Sequence, residues 1–221
     1  PVTGWGEMLH TLAQGDAVCC AAHRADCPFP QEMRYELPGL VIDNCAMAGR
    51  SSKTFREEGR LDDIAAHIRP GDLLVVSFGH NDANRAKAER YVPADAFGES
   101  LRPFWDAARS HGAVCIFASP VAMREFDEDS VCHPSFAAYR EAMRAFAAEV
   151  GAPFIDLGAA TAAANTAFGA ERCKARYMWV GAKQDNAHQQ NAGACRTAQA
   201  FVQQLLQDTT PALDMLRANF K

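Results

Sequence analysis

Three short stretches carry the residue types that polar chemistry uses: Asn-Cys-Ala-Met-Ala-Gly-Arg-Ser-Ser at 44–52, Phe-Gly-His-Asn-Asp at 78–82, and Asp-Asn-Ala-His-Gln-Gln-Asn-Ala-Gly-Ala at 185–194. In the third, Asp185 precedes His188 by three residues. On a turn, that step lets a carboxylate accept from one imidazole nitrogen and leaves the other free to take up a proton. Taken singly, each stretch has an ordinary explanation. Glycine and asparagine in loops make turns, and a lone Asp-His pair is most often a surface hydrogen bond.

Position in the chain makes them more than that. Runs rich in Val, Ile, Leu and Phe at 40–43, 73–78, 114–118 and 154–157 read as buried strands. Between them lie apolar residues at helical spacing: Trp5, Met8, Leu9 and Leu12; Leu61, Ile64, Ala65 and Ile68; Phe97, Leu101, Phe104, Trp105 and Ala108; Phe136, Tyr139, Met143, Phe146 and Val150. A last helix carries Ala194, Ala198, Phe201, Val202 and Leu205. The alanine-rich residues 159–170 read as a loop or a weak helix, and 209–221 as an appended short helix. Strand alternating with helix predicts an α/β domain whose parallel sheet is covered on both faces. Such sheets put their working residues on loops at the carboxyl ends of the strands, and the three stretches are placed to form such a site.

Composition narrows the classes. A chain of 221 residues, 48% hydrophobic and 22% charged, suits one domain with a sizeable core. Its net charge of -5 argues against nucleic-acid or anionic-membrane partners, and no apolar run is long enough to span a bilayer. The compartment stays open. Eight cysteines (Cys19, Cys20, Cys27, Cys45, Cys115, Cys132, Cys173 and Cys195) allow disulfides without requiring them. Cys19, Cys20 and Cys27 with His23 only loosely resemble a metal site, because no Cys-x-x-Cys repeats at zinc spacing, and structural thiols are the better expectation.

The three stretches in this order, with Thr-Gly-Trp-Gly-Glu-Met-Leu at 3–9, resemble the SGNH or GDSL-type hydrolase family, most closely its rhamnogalacturonan acetylesterase branch. The likeness runs from Thr3 to about Leu206. It implies a flavodoxin-like three-layer α/β/α fold over residues 1–208, followed by a tail at 209–221. It also implies a serine esterase acting on O-acetylated carbohydrate without metal or cofactor. By the same resemblance, Gly49 supplies a backbone N–H and Asn81 a side-chain amide to an oxyanion hole. His188 is then the general base and Asp185 the residue that orients it. Arg50, Ser51, His80 and Trp179 are candidate substrate contacts, with Trp5 a further candidate wall although core packing is the commoner fate of a tryptophan. Asp82 is expected to brace its loop, and Ser51 or Ser52 to cap the next helix.

The family's nucleophile is the serine of a Gly-Asp-Ser block on the first strand, and no such block occurs in these residues. Ser77 and Ser119 fall at strand ends that the family uses otherwise. The family's sheet order puts that first strand between the runs at 40 and 73, so a central strand is expected from outside the sequence. It would come from a preceding segment, from a cleaved peptide that stays bound, or from another chain. Two rival readings remain: a hydrolase of small esters, and a carbohydrate-binding protein that has lost its nucleophile.

Overall fold

The computed structural model describes residues 1–13 and 20–220. The chain forms two compact units, one of Pro1–Ala46, Val121–Ser135 and Leu157–Lys221, the other of Met47–Pro120 and Phe136–Asp156. No helix among the described residues is long and apolar enough to cross a membrane.

The first unit opens with a 3-10 helix, Trp5–Leu12, where the apolar spacing predicted an α-helix. The pairs Trp5/Met8 and Leu9/Leu12 are three apart, which fits three residues per turn as well as it fits 3.6. Strands β1 (Cys20–Ala22), β2 (Met33–Leu37) and β3 (Leu40–Asn44) follow as an antiparallel sheet in that order. Here the structure corrects the sequence reading: the run at 40–43 was expected in the parallel sheet, beside a missing strand. Instead β3 pairs with β2 across a Pro38-Gly39 turn, with Leu37 opposite Leu40. Its alternation explains why, since Val41 and Asp43 are exposed while Leu40 and Ile42 are half-buried, the pattern of a strand covered on one face. Arg34 stands opposite Asp43 in the register and grips both carboxylate oxygens at 2.7 Å.

The second unit holds the parallel sheet. Helices α1 (Ser52–Glu57) and α2 (Arg60–His67) lead to β4 (Leu73–Val76), then α3 (Ala94–Ser110), β5 (Val114–Ala118), α4 (Ala137–Val150) and β6 (Phe154–Ile155). The strand order is β4-β5-β6, all parallel, with β4 at one edge. Helix α3 buries Phe97, Leu101, Phe104 and Ala108, the four-three-four spacing of one helical face. Helix α4 buries Tyr139, Met143, Phe146 and Ala147. The Phe146 ring meets Phe117 of β5 edge-on at 5.5 Å.

The remaining elements return to the first unit: α5 (Leu157–Phe168), α6 (Ala170–Cys173), the hairpin β7 (Tyr177–Val180) and β8 (Lys183–Gln189), α7 (Asn191–Gln207) and α8 (Asp214–Arg217). The alanine-rich segment is thus helical, and the tail carries a short helix as expected. Trp5 packs on Phe201 of α7 with ring centres 5.0 Å apart, a core role rather than a free wall. Gly193 near the start of α7 sits against the Arg176 carbonyl so closely that a Cβ there would lie 2.1 Å from the oxygen. Cys27, Cys45, Cys115, Cys132, Cys173 and Cys195 are free thiols, and burial pushes Cys115 up to about 12. Cys19 and the side chain of Cys20 lie outside the described residues, so the loose cluster with His23 is not described as a whole.

Candidate active site

Asp185 and His188 lie on β8, in a hairpin with a register irregularity at Tyr177/Met178. The irregular strand does what a turn was expected to do. Asp185 Oδ1 accepts from the backbone N–H of Ala187 and of His188, both at 2.9 Å, which fixes the plane of the carboxylate. Oδ2 then meets His188 Nδ1 at 2.8 Å. Burial by itself raises the Asp185 carboxyl, but the two backbone donors and the imidazole outweigh it and hold the group well below the usual carboxylate range. The Lys183 ammonium, 3.4 Å from Oδ2, adds a positive neighbour. The carboxylate is therefore ionised at neutral pH and acts only as an acceptor. That makes His188 Nδ1 the donor in the contact, while Nε2 has no hydrogen-bond partner among the described residues, on a side chain 57% exposed. A second Asp-His pair, Asp127 with His133 at 2.6 Å, is exposed on both sides and shows the plain surface version of the same contact.

The oxyanion candidates lie in the second unit. Arg50 N–H bonds to Met47 O at 3.4 Å, closing a four-residue turn in which Gly49 takes φ +81 at the third position. Glycine suits that position because a side chain would strain the left-handed backbone. The Gly49 carbonyl accepts from Arg90 Nη1 at 3.1 Å, while its N–H has no partner among the described residues. Asn81 Nδ2 donates one hydrogen to the Arg50 carbonyl at 3.0 Å, tying the loop after β4 to this turn, and its second hydrogen has no partner among the described residues. Two N–H donors are thus held by groups other than a ligand, the condition for preorganised stabilisation of a developing negative oxygen.

Asp82 is the brace the sequence suggested. It is fully buried, and its Oδ1 accepts from Ser52 N at 2.9 Å and Ser52 Oγ at 2.6 Å while Oδ2 accepts from Gly79 N at 3.0 Å. Burial raises this carboxyl above its ordinary value, against the lowering effect of those donors. Ser51, read as a helix cap or a substrate contact, is fully buried, and its hydroxyl caps α1 by accepting from Thr54 N at 3.2 Å. Arg50 reaches both Glu58 oxygens, at 2.8 and 3.1 Å, so its charge is already matched. His80 is half-buried and meets Phe136 edge-on at 4.8 Å. Trp179 is half-buried, its indole N–H bonded to Asn186 Oδ1 at 2.9 Å. Ser119 is fully buried, with its hydroxyl donated to Asp156 at 3.1 Å. Sequence reading missed Arg90 and Asn186. Nothing in spacing joins Arg90 to Gly49, whereas Asn186 was in view beside Asp185.

Residues 4–194 match the model of the GDSL-like Lipase/Acylhydrolase family. The rhamnogalacturonan acetylesterase RhgT of Bacillus subtilis (strain 168) is 35% identical over 225 residues, covering 98% of this chain and 86% of that protein. The probable rhamnogalacturonan acetylesterase YesY of the same organism is 38% identical over 156 residues, 70% of this chain and 71% of that one. Among solved structures, YxiM of Bacillus subtilis superposes with a TM-score of 0.69 at 29% identity, over 76% of this chain and 46% of the other. The chain thus spans less than half of that structure. The acetylxylan esterase Axe2 of Geobacillus stearothermophilus gives 0.51 at 21%, over 70% and 67%, a likeness of fold alone. The architecture is accordingly the α/β fold of three layers, helix on sheet on helix, with a parallel sheet. The chain belongs to the GDSL-like lipase/acylhydrolase family, also called SGNH hydrolases, in its rhamnogalacturonan acetylesterase-like branch.

Proposed function

We propose that the chain is a serine esterase that removes O-acetyl groups from carbohydrate, of the pectic rhamnogalacturonan type. The observation that carries the reading is the Asp185-His188 pair, with a carboxylate fixed by two backbone donors and an exposed imidazole nitrogen free to take a proton. The two Bacillus relatives, a rhamnogalacturonan acetylesterase and a probable one, support the choice of acetylated carbohydrate.

In this reading a serine nucleophile attacks the acetyl carbonyl and gives its proton to His188 Nε2. The negative oxygen that forms is met by the Gly49 N–H and the Asn81 amide. One such donor typically lowers a barrier by about 3–4 kcal/mol. Collapse expels the sugar alkoxide, which takes the proton back from His188 and leaves an acetyl-serine. Water, deprotonated by the same nitrogen, then releases acetate. Residues 1–208 would make up the hydrolase domain and 209–221 its tail.

The test is acetate release from acetylated rhamnogalacturonan oligosaccharides by the full chain and by His188→Ala. The expected result is loss of nearly all turnover with an unchanged far-UV spectrum and melting temperature. Activity within tenfold of the parent would remove His188 as the base.

A further inference from the structure

Asp185 is oriented by its own neighbours, but something must hold the segment it sits on. Asn186 follows it directly, and three donors converge there. The Arg124 backbone N–H reaches its carbonyl at 2.8 Å, the Trp179 indole N–H its Oδ1 at 2.9 Å, and Arg124 Nη1 the same Oδ1 at 3.4 Å. Arg124 is itself anchored, with Nε and Nη2 on the Ala170 carbonyl at 3.1 and 2.8 Å and a side chain only 11% exposed. Its guanidinium lies 4.7 Å from the centre of the Trp179 ring, and Lys174 Nζ lies 4.8 Å from the same ring. The tryptophan is therefore engaged at both its N–H and its π-system.

We propose that Asn186 is a positioning residue for the acid-base pair. Through Arg124 and Trp179 it pins β8 from one side, and so sets the line along which Asp185 meets His188. An asparagine serves here because one oxygen can accept from two donors at once, which a side chain of similar size without an acceptor cannot do. A loose β8 would still fold, but the Asp185-His188 contact would wander over distances that matter for proton transfer. This assignment rests on the reading of His188 as the base.

The test compares full-chain Asn186→Leu, which removes the acceptor at similar size, with Asn186→Asp, which keeps an acceptor oxygen at the Oδ1 position and adds a negative charge. Trp179→Phe removes the indole donor, with some ring area, and serves if the leucine variant folds poorly. For Asn186→Leu, kcat falls on the order of tenfold to a hundredfold while KM stays near the parent value. The acid limb of kcat/KM moves to lower pH, because the imidazolium loses part of its carboxylate support. Lys183 and Arg124, the charged groups around the pair, are kept in all variants, and Asn186→Asp adds one carboxylate beside them. Asn186→Asp restores kcat and brings the limb back to the parent pH or above it, because the added carboxylate supports the imidazolium. A fall in activity by one factor at every pH, with the limb unmoved, would overturn the proposal by showing only lost folded protein. A raised KM at unchanged kcat would overturn it in favour of a substrate contact at Trp179. If His188→Ala is inactive and Asn186→Leu turns over like the parent, the positioning role alone fails. If His188→Ala remains active, the base assignment fails and takes this proposal with it.

Discussion

Replacing Gly193 by alanine sets a local preference against a tertiary contact. In a helix, alanine is favoured over glycine by about 1 kcal/mol, so α7 viewed alone should gain stability. Against that, the new Cβ would lie 2.1 Å from the Arg176 carbonyl oxygen, 3.0 Å from its carbon and 3.2 Å from Gln189 Cβ. A comfortable carbon-oxygen contact is about 3.2–3.4 Å, so roughly 1.1–1.3 Å must be found. The obstacle is backbone and cannot rotate away. The same carbonyl accepts the Gln190 N–H at 3.0 Å, so moving it also strains the join between β8 and α7. Overpacking of this kind typically costs about 1–3 kcal/mol, and the severity of the clash puts it at the upper end. Net of propensity, Gly193→Ala should lose about 2 kcal/mol, a fall in melting temperature of about 4–8 °C for a chain of this size. Gln189 and Gln190 follow His188 directly, so turnover at a permissive temperature should fall as well. Calorimetry with an acetate-release assay at 20 °C reads both. A variant as stable as the parent or more so would mean that propensity wins, and the close approach of α7 to Arg176 would be refuted.

Two further outcomes follow from buried groups in the second unit. Ser51→Ala removes the cap of α1 and should destabilise the protein by about 1 kcal/mol in urea titration. Acetate release should be unaffected; a large rise in KM would restore Ser51 as a substrate contact. Asp82→Asn places an amide hydrogen against a backbone or hydroxyl donor and should cost about 1–3 kcal/mol. Folding raises the Asp82 carboxyl, so its contribution is full below the unfolded-state value near 3.9 and is lost as pH rises through the folded value. The variant lacks that decline. The stability gap between parent and variant should therefore narrow from about pH 4 to pH 7, and a gap that widens would contradict the direction of the shift.

What the sequence made legible was local. Phe97, Leu101, Phe104 and Ala108 announce α3 because burial there repeats with the helix period, and β4 and β5 announce themselves as short apolar runs. The Asp185-His188 pair was legible for the same reason, three residues on one strand. The run at 40–43 was assigned to the wrong sheet because a five-residue strand has too few positions to separate one-sided from two-sided burial. The preceding Pro-Gly, a turn signal, was the available clue. Ser51 could be read as a cap or as a contact until its burial was known. Asn81 reaching Arg50 and Arg90 reaching Gly49 span 31 and 41 residues, and no periodicity carries that information.

The turn at Gly49 has a kinetic consequence. Its carbonyl is tied by Arg90 and the adjoining Arg50 carbonyl by Asn81, so the loop gives up its conformational freedom when the chain folds. In the proposed esterase, a ligand arriving at the Gly49 N–H would meet a donor already aimed. Its capture should follow a single exponential whose rate rises linearly with concentration, without the saturation that a loop closing after contact would impose.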